Sequence, residues 1–418
     1  MKNLIFLIII FSFNLYSQTE KISFNQLIKK LECNYKLKDN ISNAKIVQQF
    51  RNEINNTGYL PQFNLIAQAT YQSDVIKIPI TLPGIKISTM DKDQYKIALE
   101  VNQIIYDGSM ISTQNKKDNI LSNIDTLQAK INLVAQKDLL NKLVYMLLIN
   151  QKTKFQLLEH KKLLLSRQND ILFLIKGGIL QESDLISLKV EIVKIDQQID
   201  AIDAANKQIY KNIEALVGEN IENKEIIYDD EALLLTQDIK RIELFILDEK
   251  QKLNDISVEF SSNQNLPKFY AFGQFGYGKP GLNMLSDKFD TYYLIGIGVK
   301  WNLFDWGKSN KEYEIAQINK NSIQNEKELF IQSITIQANE ILSSIEKLDK
   351  WIEKDNEIIE LKDKILISTS SKLSNGVAKA TDYLNDLNSK TQSLIDYEKH
   401  KIEKQYYIQS YKILMGMK

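Results

Sequence analysis

Apolar and polar residues alternate in four short segments of the chain, with a few exceptions such as Ile66. The alternation is cleanest where six apolar residues share one face: Tyr293, Ile295, Ile297, Val299, Trp301 and Leu303. The same period of two recurs at 63–71, 95–102 and 269–277. It predicts β-strands with one apolar face, and ~10 residues is the length of a tilted transmembrane strand. We therefore expect two β-hairpins, at 62–106 and 268–304, with soluble hairpins packed on a helical body as the alternative.

An apolar spacing of three and four residues characterises the longer segments. This spacing links Ile120, Ile124, Leu127, Ile131 and Val134, as in the seam of a coiled coil. Neither Gly nor Pro occurs in 109–176 or in 308–375. Each of these two segments therefore predicts one long helix, and at ~1.5 Å per residue each helix is a rod of about 100 Å.

The two long segments belong to an internal duplication. Four pairs of landmark residues recur at an offset of 198: Asp107 and Asp305, Gly178 and Gly376, Asp184 and Asp382, Gly218 and Gly416. After each turn glycine a shorter returning helix is predicted, at 183–217 and at 381–415. The chain thus divides into repeat 1 at 18–218 and repeat 2 at 219–418.

Each repeat also begins with a shorter helical segment. The two segments are Ser23–Thr57 and about Glu231–Asn263, each roughly half the length of a long helix. A returning helix stacked end to end on one of these segments matches the length of a long helix. Each chain then supplies two continuous and two composite helical rods.

The first residues have the pattern of a secretory signal peptide. Lys2 precedes an apolar run from Leu4 to Phe13, and Ser17 is a small residue at the expected cleavage site. We therefore predict a signal peptide at 1–17. The apolar run is shorter than the ~20 residues that a membrane-spanning helix needs, and no later stretch is longer.

The composition argues against several classes of protein. The 53 basic and 53 acidic residues balance, whereas a nucleic-acid-binding protein needs a basic surplus. Cys33 is the only cysteine and lies apart from His160 and His400, so no metal-ligand or disulfide spacing exists. Both histidines lie on charged helical stretches, where solvated side chains are expected. We therefore predict no enzyme activity, no metal and no cofactor.

Counting the predicted elements points to an oligomer. Four strands per chain are too few to close a barrel whose edges are all paired in lipid. A homotrimer supplies twelve strands for a transmembrane β-barrel and twelve helical rods for an α-barrel. The predicted fold class is mainly α with a transmembrane β-barrel part, built from duplicated long helical hairpins and β-hairpins.

Several short motifs occur twice in the same order. They are Leu60-Pro61 and Leu266-Pro267, the strand-to-helix junctions 105–108 and 303–307, and the tip patterns 178–185 and 376–384. With these motifs nearly the whole mature chain resembles the TolC-type outer-membrane efflux proteins. The segment 276–284 looks like a loop of Bacteroidetes-like members, which implies a Gram-negative source.

This resemblance implies a function and partners. The protein would be the trimeric outer-membrane exit duct of a tripartite efflux or type I secretion system, with a long periplasmic extension. Its partners would be outer-membrane lipid, a periplasmic adaptor and an inner-membrane pump of the RND or ABC type. The alternative is a soluble periplasmic coiled-coil scaffold or an adaptor protein. An adaptor would have one helical hairpin between compact β-domains, whereas this chain has two.

The resemblance also implies site residues. Adaptor contacts would be at the helix tips, formed by Gly178, Ile179 and Leu180 and by Gly376, Val377 and Ala378. The periplasmic aperture would be formed by Asp184, Asp382 and Asn385, although both Asp residues are also suited to cap helices. The alternation itself predicts the lipid-facing residues Ile295, Ile297, Val299 and Trp301.

Overall fold

The computed structural model describes residues 20–33, 35–76, 90–222, 224–229 and 238–417. The predicted signal peptide at 1–17 lies outside these residues. Within them the chain forms the helices α1 (Phe24–Glu32), α2 (Tyr35–Asn56), α3 (Met110–Lys176), α4 (Glu182–Val217), α5 (Ile242–Asn263), α6 (Lys308–Ser374) and α7 (Ala380–Met415). The strands are β1 (Lys21–Ser23), β2 (Gln62–Tyr71), β3 (Asp93–Tyr106), β4 (Glu225–Ile227), β5 (Lys268–Lys279) and β6 (Asp290–Lys300).

The two long helices have equal lengths. α3 and α6 each contain 67 residues, and α4 and α7 each contain 36. These four helices lie within one or two residues of the segments that the absence of Gly and Pro predicts. None of the described helices combines the length and the apolar content that a membrane crossing needs.

Two of the shorter predicted helices and one predicted strand differ from the structure. The predicted helix Ser23–Thr57 is interrupted, because α1 ends at Glu32 and Cys33 follows it in a turn. α5 begins only at Ile242, and the predicted start of its segment, 231–237, lies outside the described residues. β6 ends at Lys300, so Trp301 and Leu303 lie beyond the strand. The indole N–H of Trp301 donates to the carbonyl of Asn265 at 2.9 Å, a contact that holds it at the strand end.

The longer strands form one antiparallel sheet in the order β2-β3-β5-β6. The two hairpins are joined through β3 and β5, which leaves β2 and β6 at the edges. The register places one row of apolar residues across all four strands: Leu65, Leu99, Phe275 and Tyr293. β1 and β4 form a separate parallel pair.

The described chain contains two compact units. One consists of Asp39–Ile131 and Ile242–Ile331, and holds the sheet, α5 and the first parts of α3 and α6. The other consists of Asn132–Arg241, Gln332–Lys418 and the described part of Met1–Lys38. Both units take residues from each predicted repeat, so neither unit corresponds to one repeat. The division into two repeats stays a prediction about the sequence.

The second unit contains two apolar cores. In the first core, Phe24, Leu27 and Leu31 of α1 pack with Leu140 of α3 and Ile213 of α4. The second core lies among α3, α4, α6 and α7. Its buried residues recur at intervals of seven: Leu157, Leu164 and Ile171; Leu188 and Ile195; Leu366 and Leu373; Ala380 and Leu387. A sevenfold spacing keeps one face of each helix turned toward its neighbours, as in coiled coils.

Candidate functional site

Both helix tips use the same backbone hydrogen bonds. Gly178 and Gly376 have φ values of +73° and +71°, a conformation that glycine adopts without steric cost. The N–H groups of Ile179 and Val377 donate to carbonyls five residues earlier, at 2.9 Å and 2.8 Å. This is the Schellman motif, which ends a helix with a left-handed residue. The geometry explains why a glycine is needed at each tip.

The two tips lie next to each other. A Cβ atom added to Gly376 would be 2.6 Å from Cγ2 of Ile179, so the side chain of Ile179 covers this glycine. Val377 is 77% exposed, whereas Leu180 and Ala378 are half-buried. The structure therefore brings the predicted tip residues together and leaves Val377 as their most exposed apolar side chain.

Asp184 and Asp382 both close the first turn of a returning helix. The carboxylate of Asp184 accepts a hydrogen bond from the Gln181 N–H at 3.0 Å, and that of Asp382 accepts one from the Lys379 N–H at 3.1 Å. A carboxylate in the first turn also interacts favourably with the helix dipole. Asn385, one turn after Asp382, is exposed. The capping role of both acids is thus present, and their role in an aperture stays a prediction.

Arg167 is a tip residue that the sequence reasoning missed. Its guanidinium donates to Asp170 at 2.9 Å and to the hydroxyl of Ser370, and its Cζ lies 5.3 Å from the ring centroid of Tyr383. These contacts connect α3 to α6 and α7. The signal in the sequence is the rarity of arginine, since the chain has only three among its many lysines. A planar guanidinium can stack on a ring and still donate in its own plane, which Lys cannot do.

The histidines are not solvated, contrary to the prediction. His160 is 4% exposed, and it lines a cavity of about 440 Å³ among α3, α4 and α7. Burial lowers the pKa of His160 below its ordinary value. His400 is half-buried, and its Nδ1 lies 2.6 Å from Oδ2 of Asp355. The prediction was wrong because charges elsewhere on a helix do not show which side of that helix a given residue occupies.

The two strand-to-helix junctions share an unusual backbone. Asp107 accepts a hydrogen bond from the Ile111 N–H at 2.6 Å, and Asp305 accepts one from the Ser309 N–H at 3.0 Å. Hydrogen bonds from Ser309 lower the pKa of Asp305 well below its ordinary value. Each Asp precedes two residues with positive φ, Gly108-Ser109 in one case and Trp306-Gly307 in the other. Both junctions thus have the same backbone conformation, although glycine is the first of the two residues in repeat 1 and the second in repeat 2.

The two faces of the sheet differ in chemistry. Ile295, Ile297 and Val299 project from the apolar face and are exposed, with Ile297 at 83%. On the opposite face, the rings of Phe272 and Tyr270 lie over Gly296 and Gly298 of the neighbouring strand. The glycines leave room for these rings. Trp301 lies just beyond the end of β6 and is 58% exposed, and the lipid-facing position of all four residues stays a prediction.

No metal centre can be built from the described residues. They contain no group of three or more His, Cys, Asp and Glu side chains that could hold a metal ion.

The fold is similar to solved structures of outer-membrane channels. One of them is CusC, a protein whose structures describe conformational changes during folding and transmembrane channel formation. The similarity covers 94% of this chain and 92% of the CusC chain, with a TM-score of 0.74 and 10% identity. The outer membrane protein VceC from Vibrio cholerae matches 94% and 96%, with a TM-score of 0.68 and 12% identity. The Campylobacter jejuni outer membrane channel CmeC matches 94% and 85%, with a TM-score of 0.64 and 13% identity.

No protein-family model and no curated protein matches the chain. The structural matches confirm the predicted fold class of long helical hairpins combined with β-hairpins. At identities of 10–13%, this similarity establishes the fold: the chain has the fold of the TolC-type outer-membrane channels.

Proposed function

We propose that the protein is a homotrimeric outer-membrane channel, the exit duct of a tripartite efflux or type I secretion system. The observation that carries this proposal is the open four-stranded sheet. Its edge strands β2 and β6 have no further strand partner in the described chain, and one face of the sheet is apolar and exposed. Unpaired backbone groups in lipid cost several kcal/mol each, so the edges need partners. Three copies joined edge to edge close a barrel of twelve strands.

The second face of the sheet supports a water-filled interior. It carries Gln68, Lys96, Glu100 and Gln274, and the amide of Gln274 donates to Glu100 at 2.5 Å. Polar residues on one face and apolar residues on the other are the arrangement that a barrel with a polar lumen needs. The channel catalyses no reaction itself, and an inner-membrane pump of the RND or ABC type supplies the energy.

The long helices support a periplasmic extension. Each contains 67 residues and is about 100 Å long, whereas the hydrocarbon core of a bilayer is ~30 Å thick. In the sequence, a whole long helix separates each helix tip from the nearest strand of the sheet. The exposed side chain of Val377 at the tip is suited to contact a periplasmic adaptor. The support for the adaptor and the pump is the resemblance to TolC-type proteins.

Disulfide crosslinking between the edge strands tests the trimer. In a Cys33→Ser background, Cys pairs that place one residue on β2 (at Phe63 or Leu65) and one on β6 (at Ile295 or Ile297) should give covalent dimers and trimers on denaturing gels. The matched control places the first Cys at Leu99 on β3, which lies between two strands of its own sheet. The control should yield no crosslinked trimer.

Membrane fractionation and conductance complete this test. We expect the crosslinked protein in the outer-membrane fraction, and stable single-channel currents when the purified protein is added to planar bilayers. A protein found in the soluble periplasmic fraction, with no edge crosslinks and no conductance, would refute the channel and favour the coiled-coil scaffold.

Substitution at the tip tests the adaptor contact. Val377→Arg should abolish co-purification of the adaptor after crosslinking, while the amounts of trimer in the membrane stay unchanged. Val377 is preferable to Ile179, because Ile179 also packs on Gly376 and its replacement would disturb the tip itself. Normal adaptor recovery with Val377→Arg would contradict docking at this tip.

A further inference from the structure

His160 lies in a buried position that the proposed channel function does not explain. It projects from α3 into the cavity of about 440 Å³ between α3, α4 and α7. The residue is 4% exposed, and its Nε2 atom has no hydrogen-bond partner among the described residues. An imidazole nitrogen without a partner is costly to bury, so this position calls for a physical explanation.

Of the described residues, one carboxylate lines the cavity together with the imidazole. Glu191 projects into it from α4, and the amide of Asn388 on α7 donates to Oε1 of Glu191 at 3.0 Å. The Glu191–Asn388 hydrogen bond therefore connects the two returning helices. Nζ of Lys194, one turn further along α4, lies 3.7 Å from Oε2 of Glu191.

Among the described residues, Glu191 and His160 are the ionisable side chains that line this cavity. The residues contributed by α7 are Asn388, Thr391, Gln392 and Ile395, all uncharged. On α3 the neighbouring Lys161 is paired with Asp196 of α4 at 2.5 Å, and neither lines the cavity. A charge that develops on His160 therefore has Glu191 as its counter-ion.

Two opposing influences set the protonation state of His160. Burial opposes the charged imidazole and lowers its pKa, while Glu191 acts in the opposite direction. The imidazole is therefore neutral at pH 7. Because its pKa is lower in the folded chain than the usual ~6.5, the unfolded chain binds protons more readily. The contribution of His160 to the folding stability is then fully present above pH ~6.5, and it decreases as the pH falls from this value toward the lowered pKa.

We propose that His160 and Glu191 form a proton-operated switch: protonation of the imidazole draws the Glu191 carboxylate away from Asn388 and releases the hydrogen bond between α4 and α7. The cavity provides space for the carboxylate to move. An imidazolium–carboxylate pair is a charge-assisted hydrogen bond and is stronger than a bond from a neutral amide to the same oxygen. Acidic pH would therefore loosen the attachment of one returning helix to the other.

Hydrogen exchange of the purified full chain tests this switch. Amide protection factors of the segments around Glu191 and Asn388 would be measured at about pH 7.5 and about pH 5, with correction for the intrinsic pH dependence of exchange. We expect protection to fall roughly two- to tenfold at the lower pH, the factor that corresponds to the net loss of one hydrogen bond. The measurement is independent of channel activity, so its failure would not affect the proposed function.

The chain offers a matched control because it has only two histidines. His160→Gln should abolish the pH response, whereas His400→Gln should retain it. If His160→Gln does not fold, Glu191→Gln makes the same test, since it removes the carboxylate that the imidazolium attracts. A wild-type protein without the pH response would overturn the proposal, as would a response that persists in His160→Gln or in Glu191→Gln.

Discussion

Close contact between an aromatic ring and a glycine should limit substitution on the face of the sheet opposite Ile297. Gly298 on β6 is paired with Tyr270 on β5. A Cβ atom added at Gly298 would be 2.4 Å from Cζ and 2.5 Å from Oη of Tyr270. Carbon atoms in contact need about 3.5 Å, so Gly298→Ala must displace the ring by roughly 1 Å. Overpacking costs about 1–3 kcal/mol, and we expect the lower half of that range because Tyr270 is 36% exposed and can rotate away.

Two further variants isolate the steric cause. Gly273→Ala lies on β5, where an added Cβ would meet nothing within 4 Å, and it should change the stability by much less than Gly298→Ala. The double variant Tyr270→Ala/Gly298→Ala lacks the ring that the new methyl group meets. Its loss of stability should therefore be smaller than the sum of the two single losses, by roughly 1 kcal/mol or more.

The stability can be followed by denaturant unfolding in detergent and by the temperature at which the oligomer dissociates on denaturing gels. Gly298→Ala should lower both midpoints, with no change in the amount of the protein in the membrane at low temperature. Equal losses in Gly298→Ala and Gly273→Ala would refute the steric reasoning, and so would strict additivity in the double variant.

Three other substitutions test separate parts of the protein. Ile297→Arg should cost ~2–4 kcal/mol if the residue meets lipid near the midplane, and should deplete the folded protein in the outer membrane; normal amounts would contradict a lipid-facing position. Leu164→Ala removes a fully buried side chain and should lower the unfolding free energy by ~2–5 kcal/mol, whereas Leu163→Ala, at a site that is 47% exposed, should cost far less. Asp382→Ala should weaken the block of single-channel currents by divalent cations in planar bilayers, because it removes negative charge from the predicted aperture. Unchanged conductance and unchanged block would mean that Asp382 acts only as a helix cap.

The long helices, the turns and the strands can be predicted from the sequence because they depend on local chemistry. The 67 residues of α3 and of α6 contain no glycine or proline, so nothing interrupts their backbone hydrogen bonds. The tips are equally local, since Gly178 and Gly376 adopt a positive φ that few other residues accept. The alternation around Ile297 likewise needs no partner to indicate a strand with one apolar face.

Other features depend on residues that are far apart in the chain, and periodicity does not reveal them. His400 is paired with Asp355, 45 residues earlier, and His160 is buried because α4 and α7 cover that side of α3. Trp301 lies just beyond the end of β6, and its N–H donates to the carbonyl of Asn265, 36 residues earlier in the chain. A helical pattern specifies which residues share a face, but the neighbouring helix decides whether that face is buried. Such contacts arise only when the folded chain brings distant segments together.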